Sequence, residues 1–600
     1  MGDHCVVDPP RAVYGRLFLE NQTRLAREKT WDRWLGYVKV FVLLMLALAA
    51  IALLHFPHRL WLLLIPAAIF LCLAVVHERV LRRARRLNRV IDFYERGVAR
   101  LENRWAGTGE QGTRFLEAMH PYARDLDLFG QGSLFELLCT TRTRAGEATL
   151  ADWLLHPAAP EVVGSRHEAI LEMKERLRFR ELLFVAGESV RLGVQPEALA
   201  SWGEQEPGLL GPWLALLPML AALWMGAAVY CALSGGSWYA LGLISLVNLS
   251  ISFRIYRSLA GGVGAVEAAT KDLRILVEVL ETIEKEPFSS ELLRRLRGSL
   301  LVGQVVPSAA VRRLRRICEW LEARRHPLLR VVDPFVFYTP SLMLAIQRWQ
   351  RRFGPSIRGW LATVGEMEAI ASLAGYAAEH PNDVLPEFAG EGASFEAQEL
   401  AHPLLPEEHA VGNDIKLDRN THLIVISGPN MAGKSTFLRG VGLNAVLAQC
   451  GAPVRARRLR LSPLAVGASI CVLDSLQGGV SRFYAEIRRL KILSDMADGP
   501  MPLLFLLDEL LSGTNSHDRY EGTRSVVRAL VRQGAIGMVT THDLALTEIP
   551  ALLDGVAANY HFEDAIEGGQ LKFDFRLKPG IVRTSNALQL MRQVGLNLPG

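Results

Sequence analysis

Seven cysteines are scattered through 600 residues (Cys5, Cys72, Cys139, Cys231, Cys318, Cys450 and Cys471), with no C-x-x-C and no paired spacing. That excludes a disulfide scaffold and a structural zinc site, and it fits a reduced compartment. A strong charge imbalance is also missing. Lys and Arg total 67 against 62 Asp and Glu, a net charge of +5, so only local clustering of basic residues would make a nucleic-acid face. No repeat appears beyond two pairs of apolar runs, and there is no low-complexity tail. Residues 1–36 are polar, carry Arg11, Arg16, Arg24, Arg27, Lys29 and Arg33, and lack the small-residue cleavage site of a secretory signal. This segment is expected to remain uncleaved and cytoplasmic.

The most informative absence is that of charge from Pro207 to Phe253. With SGGS at 234–237 dividing it, the stretch reads as two membrane spans. Val40–Leu54 and Leu60–Val76 are a second such pair, separated by a tight HFPHR turn. Each approaches the roughly 20 residues that cross a bilayer once flanking residues are counted. The competing reading of the first pair is a buried soluble hairpin, because its runs are short and Lys39 would have to snorkel. A chain that is 50% hydrophobic favours membrane segments. Arg79, Arg82, Arg83, Arg85, Arg86 and Arg89 follow the first pair, Arg254 and Arg257 follow the second, and the turns carry only Arg59. Positive residues stay on the cytoplasmic side, so both termini and the segment between the hairpins are expected there.

Residues 78–206 read as a helical core and 254–390 as a helical lever continuing it. In the latter, Arg312, Arg313, Arg315, Arg316, Arg324, Arg325 and Arg330 crowd one part. A solvated helical face is the ordinary meaning of such a run; a phosphate-contacting surface is the sharper one. Ala389–Glu408, rich in Gly, Glu and Pro, marks a boundary before a final domain, 391–600. The hairpins themselves occupy 37–77 and 207–253.

That final domain carries the chemistry. Leu423–Ile426 is an apolar run read as a buried strand, and GPNMAGKST (428–436) follows it. Gly428, Gly433, Lys434 and Ser435 match G-x-x-x-x-G-K-[ST], in which backbone N–H groups and a helix N-terminus close around phosphates. Pro429, Asn430, Met431, Ala432 and Thr436 complete the loop. Lys434 is expected to reach the β/γ-phosphates of ATP and Ser435 to bind Mg2+. A second apolar strand, Leu503–Leu507, delivers Asp508 to the ion's shell and Glu509 to the attacking water as a base. A third, Ala535–Val539, ends in Thr540, Thr541, His542 and Asp543, where His542 is placed to hydrogen-bond the γ-phosphate. Upstream, Gly478 and Gly479 open a helix whose N-terminus, with Ser481, is a candidate anion site.

Taken in order, GPNMAGKST, the Ser481 segment preceding Glu486, DELLSGTNSHD (508–518) and TTHD (540–543) resemble the ATPase domain of the MutS family, within the wider ABC-type ATPases. More weakly, residues 141–170 resemble that family's core, and GEMEAIASLAGYA (365–377) with AHPLL (401–405) its helical lead-in. The fold class expected is an α/β P-loop (ABC-type) ATPase domain preceded by an all-α core/lever region interrupted by two transmembrane helical hairpins. The resemblance implies a homodimer with two composite sites, in which Ser481 contacts the γ-phosphate held by the partner subunit and Leu511–Asp518 lies at the interface. It also implies DNA as partner. Where family members stack a histidine on adenine, this chain has Phe575; the family's aromatic before Asn413 is replaced by Ala410.

Other departures shape the functional expectation. Phe18-Leu19-Glu20 matches the family's Phe-x-Glu mismatch-reading motif literally, but too few residues precede the first apolar run to form the domain that carries it. The match is read as chance. The expected activity is Mg-dependent ATP hydrolysis by a membrane-anchored MutS-like protein that grips a cytoplasmic partner. A transport ATPase is the first alternative, with LQGGV (476–480) in its favour and spans nearly free of polar residues against it. An ATP-clamped scaffold is the second, opposed by Glu509.

Overall fold

The computed structural model describes residues 9–53, 61–187, 195–205, 216–234, 238–259, 262–323, 326–390, 392–429, 431–470, 482–511, 513–553, 555–567 and 570–582. Helices occupy the chain as far as Glu379, and mixed sheets with helices follow. The chain groups into two units that interleave along the sequence. The first comprises 1–138, 375–445 and 453–600, the second 139–374 and 446–452.

In the first unit, the helices Pro10–Leu53 and Leu64–Leu101 pair lengthwise. Glycine permits their close approach at one end, since a Cβ at Gly97 would stand 2.5 Å from the Tyr14 ring. Tyr14 packs edge-on against Tyr94 with centroids 5.8 Å apart, a favoured aromatic geometry. The polar segment 10–36 thus runs unbroken into the first apolar run as a single helix. Where the second helix ends, Arg100 donates to both carboxylate oxygens of Glu379 at 2.6 Å, and that carboxylate is buried.

The α/β part of this unit is built on a six-stranded sheet. Its strand order is Lys578–Pro579, Ala557–His561, Leu423–Ser427, Ile536–Thr541, Leu503–Asp508, Ala465–Ser469, and the five neighbours from 557 to 469 run parallel. Leu423–Ser427 and Ile536–Thr541 are buried at every position, as uninterrupted apolar strands covered on both faces must be. Gly537 is required where the sheet is tightest, because a Cβ there would lie 2.2 Å from the Phe505 carbonyl oxygen. A second sheet orders Glu387–Phe388, Arg458–Leu461, Phe395–Leu400 and Asn413–Leu417. Phe395–Leu400 falls inside 389–408, which composition marks as a boundary. Its alternation of buried Phe395 and Ala397 with half-buried Glu396 and exposed Gln398 is a strand period that the surrounding Gly and Glu obscure.

The second unit is helical. Glu368, on Ile357–Glu379, accepts from the Thr143 hydroxyl at 2.6 Å and the Thr143 N–H at 3.1 Å. Thr143 in turn accepts from the Gly146 N–H at 2.9 Å, capping Arg144–Leu155. Gly203 and Gly354 let two backbones meet, each Cβ position falling within 2.6 Å of the other's carbonyl oxygen.

Among the described residues, four helices are long and apolar enough to cross a membrane by length and composition: Pro10–Leu53, Trp61–Leu101, Leu217–Ser234 and Trp238–Tyr256. Their apolar side chains face outward, among them Leu44, Ile51, Leu71, Leu223, Leu243 and Phe253. The turns at 54–60 and 235–237 lie outside the described residues.

Candidate nucleotide site

Three parallel strands converge on one end of the six-stranded sheet. Ile536–Thr541 lies between the other two, so that Thr540 is opposite Ile426 on one side and Asp508 on the other. This register brings together the loop after Ser427, the carboxylates after Leu507 and the histidine after Thr541. The helix Lys434–Cys450 starts directly beyond the loop, with its unsatisfied N–H groups facing the same end.

Two glycines shape the loop. Gly428 has φ +146°, and a Cβ on it would come within 2.6 Å of the Phe562 carbonyl oxygen; Gly433 has φ +94°, with the Phe575 ring 3.0 Å from its Cβ position. Ala432 is buried, Met431 is exposed at 78%, and Thr436 is exposed beside half-buried Ser435. Asn430 lies outside the described residues. Inside the loop, the Lys434 ammonium donates to the Gly428 carbonyl at 2.7 Å and the Pro429 carbonyl at 3.1 Å. It also stands 3.5 Å from Glu509. Burial lowers its pKa, while the Glu509 and Asp508 carboxylates act the other way. A cation taken from water at this point is a group that an anion entering the loop would meet.

Glu509 occupies the left-handed region at φ +47°, an uncommon setting for a non-glycine residue. Its N–H donates to the Thr540 carbonyl at 3.2 Å, and its carboxylate lies 3.3 Å from Nδ1 of His542. The Thr540 hydroxyl donates to Asp508. Glu486, buried on Arg482–Ala497, accepts from the Leu511 N–H at 2.7 Å, fixing the turn after the carboxylates.

Phe575, 42% exposed, is held over the loop by Asn413. The Asn413 amide donates to the Phe575 carbonyl at 3.0 Å and accepts from the Leu577 N–H at 2.7 Å. The structure therefore brings together Gly428, Gly433, Lys434, Ser435, Asp508, Glu509, His542 and Phe575. Ser481, with residues 471–480, lies outside the described residues. Sequence reasoning assigned no task to Thr540, Glu486 or Asn413. Thr540 was detectable as a polar residue ending an otherwise apolar central strand; the other two act through long-range contacts that carry no local signal.

The donor set suits an ion shared with a nucleotide. Ser435 and Asp508 offer a hydroxyl and a carboxylate, and among the described residues no group of three His, Cys, Asp or Glu would hold a metal unaided. Magnesium favours such a setting, in which one or two protein ligands are completed by phosphate oxygens and water.

Residues 424–599 match the family model described as MutS domain V. The match begins inside the loop strand and takes in both carboxylates, His542 and Phe575. The chain carries MutS domain V and is similar to MutS proteins beyond it. It is 28% identical over 81% of its length to "DNA mismatch repair protein MutS" of Thermus aquaticus, covering 61% of that protein. It is 34% identical to "DNA mismatch repair protein MutS" of Natronomonas pharaonis and to "Endonuclease MutS2" of Thermus thermophilus, over 39% and 34% of this chain. The chain spans only 27% of the length of each of these two relatives. Likeness to the longer Thermus aquaticus alignment reaches well beyond the MutS domain V region, into the helical part.

Proposed function

We propose that the chain is a membrane-anchored ATPase of the MutS family. In this reading, ATP binding and hydrolysis in a composite-site dimer drive gripping of a cytoplasmic partner. The observation that carries it is the Lys434 ammonium, buried among the loop carbonyls and 3.5 Å from Glu509. A γ-phosphate entering the loop would take over this cation, and the released carboxylate would be free to accept a proton from water. His542, already beside Glu509, would orient that carboxylate or bond the phosphate. Phe575 would offer its face to the adenine, and Asn413 would hold it there. Ser435 and Asp508 would hold a magnesium ion, whose contribution is to neutralise the phosphate oxygens. Ser481 is assigned the partner subunit's γ-phosphate from resemblance alone. DNA is the partner suggested by the relatives' names, and the four apolar helices are assigned to the membrane from their outward-facing side chains.

The deciding experiment is Glu509→Gln in the full-length protein. Nucleotide binding is expected to persist while turnover is lost, because the carboxylate acts on water and not on the nucleotide. Hydrolysis at the parent rate would remove Glu509 from the role of base.

A further inference from the structure

The second apolar helix pair has a third, shorter companion. Pro327–Val336 packs against both Leu217–Ser234 and Trp238–Leu259, stacking Phe335 on Trp224 with centroids 5.4 Å apart. It stops at Phe337, whose φ of +50° turns the chain into Tyr338–Phe353, and the helix axes change direction by 69°. Asn248 and Ser252 are fully buried. The Asn248 amide donates to the Phe335 carbonyl at 2.8 Å, and the Ser252 hydroxyl donates to the Pro334 carbonyl at 2.6 Å. These carbonyls belong to the last turn of the short helix, where no partner within the helix exists. Across the break, buried Asp333 accepts from the Thr339 N–H at 2.8 Å and the Thr339 hydroxyl at 2.6 Å, serving the first turn of the next helix.

A helix may end in water without such help; inside hydrocarbon its free carbonyls must be bonded. Of the polar side chains doing this, Asn248 comes from the middle of Trp238–Tyr256, where a polar residue is costly without a task; Ser252 lies one turn from its end. At about 1.5 Å per residue, Trp224 lies ~10 Å from Leu217 and Asn248 ~12 Å from Tyr256, the ends placed at the cytoplasmic side. Half of a hydrocarbon core is roughly 15 Å. Phe335 is therefore set within the cytoplasmic leaflet. Meanwhile Leu329, Val331 and Val332 remain exposed, Val331 at 69%, on a helix that packs directly against the two long apolar ones. A face of valine and leucine offers nothing to a nucleic-acid phosphate. Arg313 and Arg316 on Pro307–Ala323 are exposed, as is Trp320 at 59%, residue types suited to a water-facing or headgroup setting.

We infer that Pro327–Val336 is a re-entrant element of the membrane domain, its Leu329–Val331–Val332 face covered by acyl chains of the cytoplasmic leaflet. This rests on the membrane reading of the four apolar helices. Both are tested by placing a nitroxide on p-acetylphenylalanine, one position at a time, at Val331, Leu223 and Arg313. The full-length protein is reconstituted in phosphatidylethanolamine–phosphatidylglycerol vesicles, and collisions with oxygen and with a water-soluble nickel chelate are compared. The oxygen-to-nickel ratio at Val331 should be several-fold above that at Arg313 and close to that at Leu223. A ratio at Val331 equal to that at Arg313, with Leu223 still in lipid, overturns the re-entrant element and leaves the spans intact. An aqueous Leu223 overturns the membrane reading and this inference with it. Immobilisation of an aqueous Val331 probe by added duplex DNA would give the face to nucleic acid instead.

Discussion

Thr540 is the residue through which the two carboxylates of the candidate site are tied to the strand beside the loop. Its hydroxyl donates to Asp508 and its carbonyl accepts the Glu509 N–H at 3.2 Å. Replacing Thr540 with Val keeps the branched Cβ, the volume and the backbone acceptor, and removes only the hydroxyl. A hydrogen bond to a charged acceptor contributes about 1.5–3 kcal/mol. If that energy serves to hold the ion's carboxylate in place, its loss falls on the step that needs both carboxylates aligned. Turnover should then drop by roughly ten- to 150-fold, at 1.4 kcal/mol per factor of ten. Nucleotide affinity should change little, because Lys434 and the loop carbonyls are untouched. Steady-state hydrolysis and equilibrium binding of a fluorescent ATP analogue give the two readouts, and Thr540→Ser should restore most of the rate. A Thr540→Val enzyme within twofold of the parent would mean that the bond positions nothing, and the account of this strand end would fail.

Three further outcomes are expected. Gly433→Ala must either adopt φ +94° and push its Cβ against the Phe575 ring, a strain of about 1–2 kcal/mol, or let the loop relax out of its phosphate-binding shape, so ATP binding should weaken by about tenfold or more while the free energy of unfolding falls by no more than that strain. Glu379→Ala takes the bidentate carboxylate from Arg100, whose side chain is only 10% exposed. Loss of one partner of a buried pair costs about 3–5 kcal/mol, which thermal unfolding in detergent should register as a marked fall in midpoint. Glu368 is pushed up to about 7 by burial, against hydrogen bonds from Thr143 and Arg142 that act the other way. Its folded pKa is above the unfolded 4.5, so the native state binds the extra proton and stability from this group declines as pH rises from about 4.5 to 7. His167 and His402, lowered to about 4 by burial, slope oppositely between 4 and 6.5. Comparison with Glu368→Gln isolates the glutamate: the variant should gain on the parent as pH rises, and a constant difference would refute the assignment.

The nucleotide site was legible because its parts obey local rules. A glycine loop between a buried strand and a helix, and carboxylates at the end of another strand, each declare themselves within ten residues. The order of the strands is a different matter. Nothing local says that Ile536–Thr541 enters between Leu423–Ser427 and Leu503–Asp508, yet this insertion alone gives Thr540 both of its neighbours. The same holds for Asn413, which lies far from Phe575 in the chain and is a short polar residue at the start of a strand. Its amide acquires a role only when the two segments meet.

The proposed membrane part shows the opposite limit, where a local rule is strong but its count is too strict. An uncharged run of 47 residues, 207–253, is read at once as two candidate spans. Pro327–Val336 fails the same test, since Arg330 and Asp333 interrupt it and Pro334 breaks its helical pattern. Those interruptions are what the observed geometry requires. Arg330 is exposed near the start of the element, where a cation suits the interface, and Asp333 is buried against the Thr339 N–H and hydroxyl of the following turn. Pro334 sits just before the break, and its carbonyl takes the Ser252 hydroxyl. A charge inside an apolar segment argues against a membrane only when it is left unpaired. Asp333 is satisfied locally by Thr339, so the penalty that a window of composition would assign to it is offset, and the Asn248 amide N–H donates across to the Phe335 carbonyl.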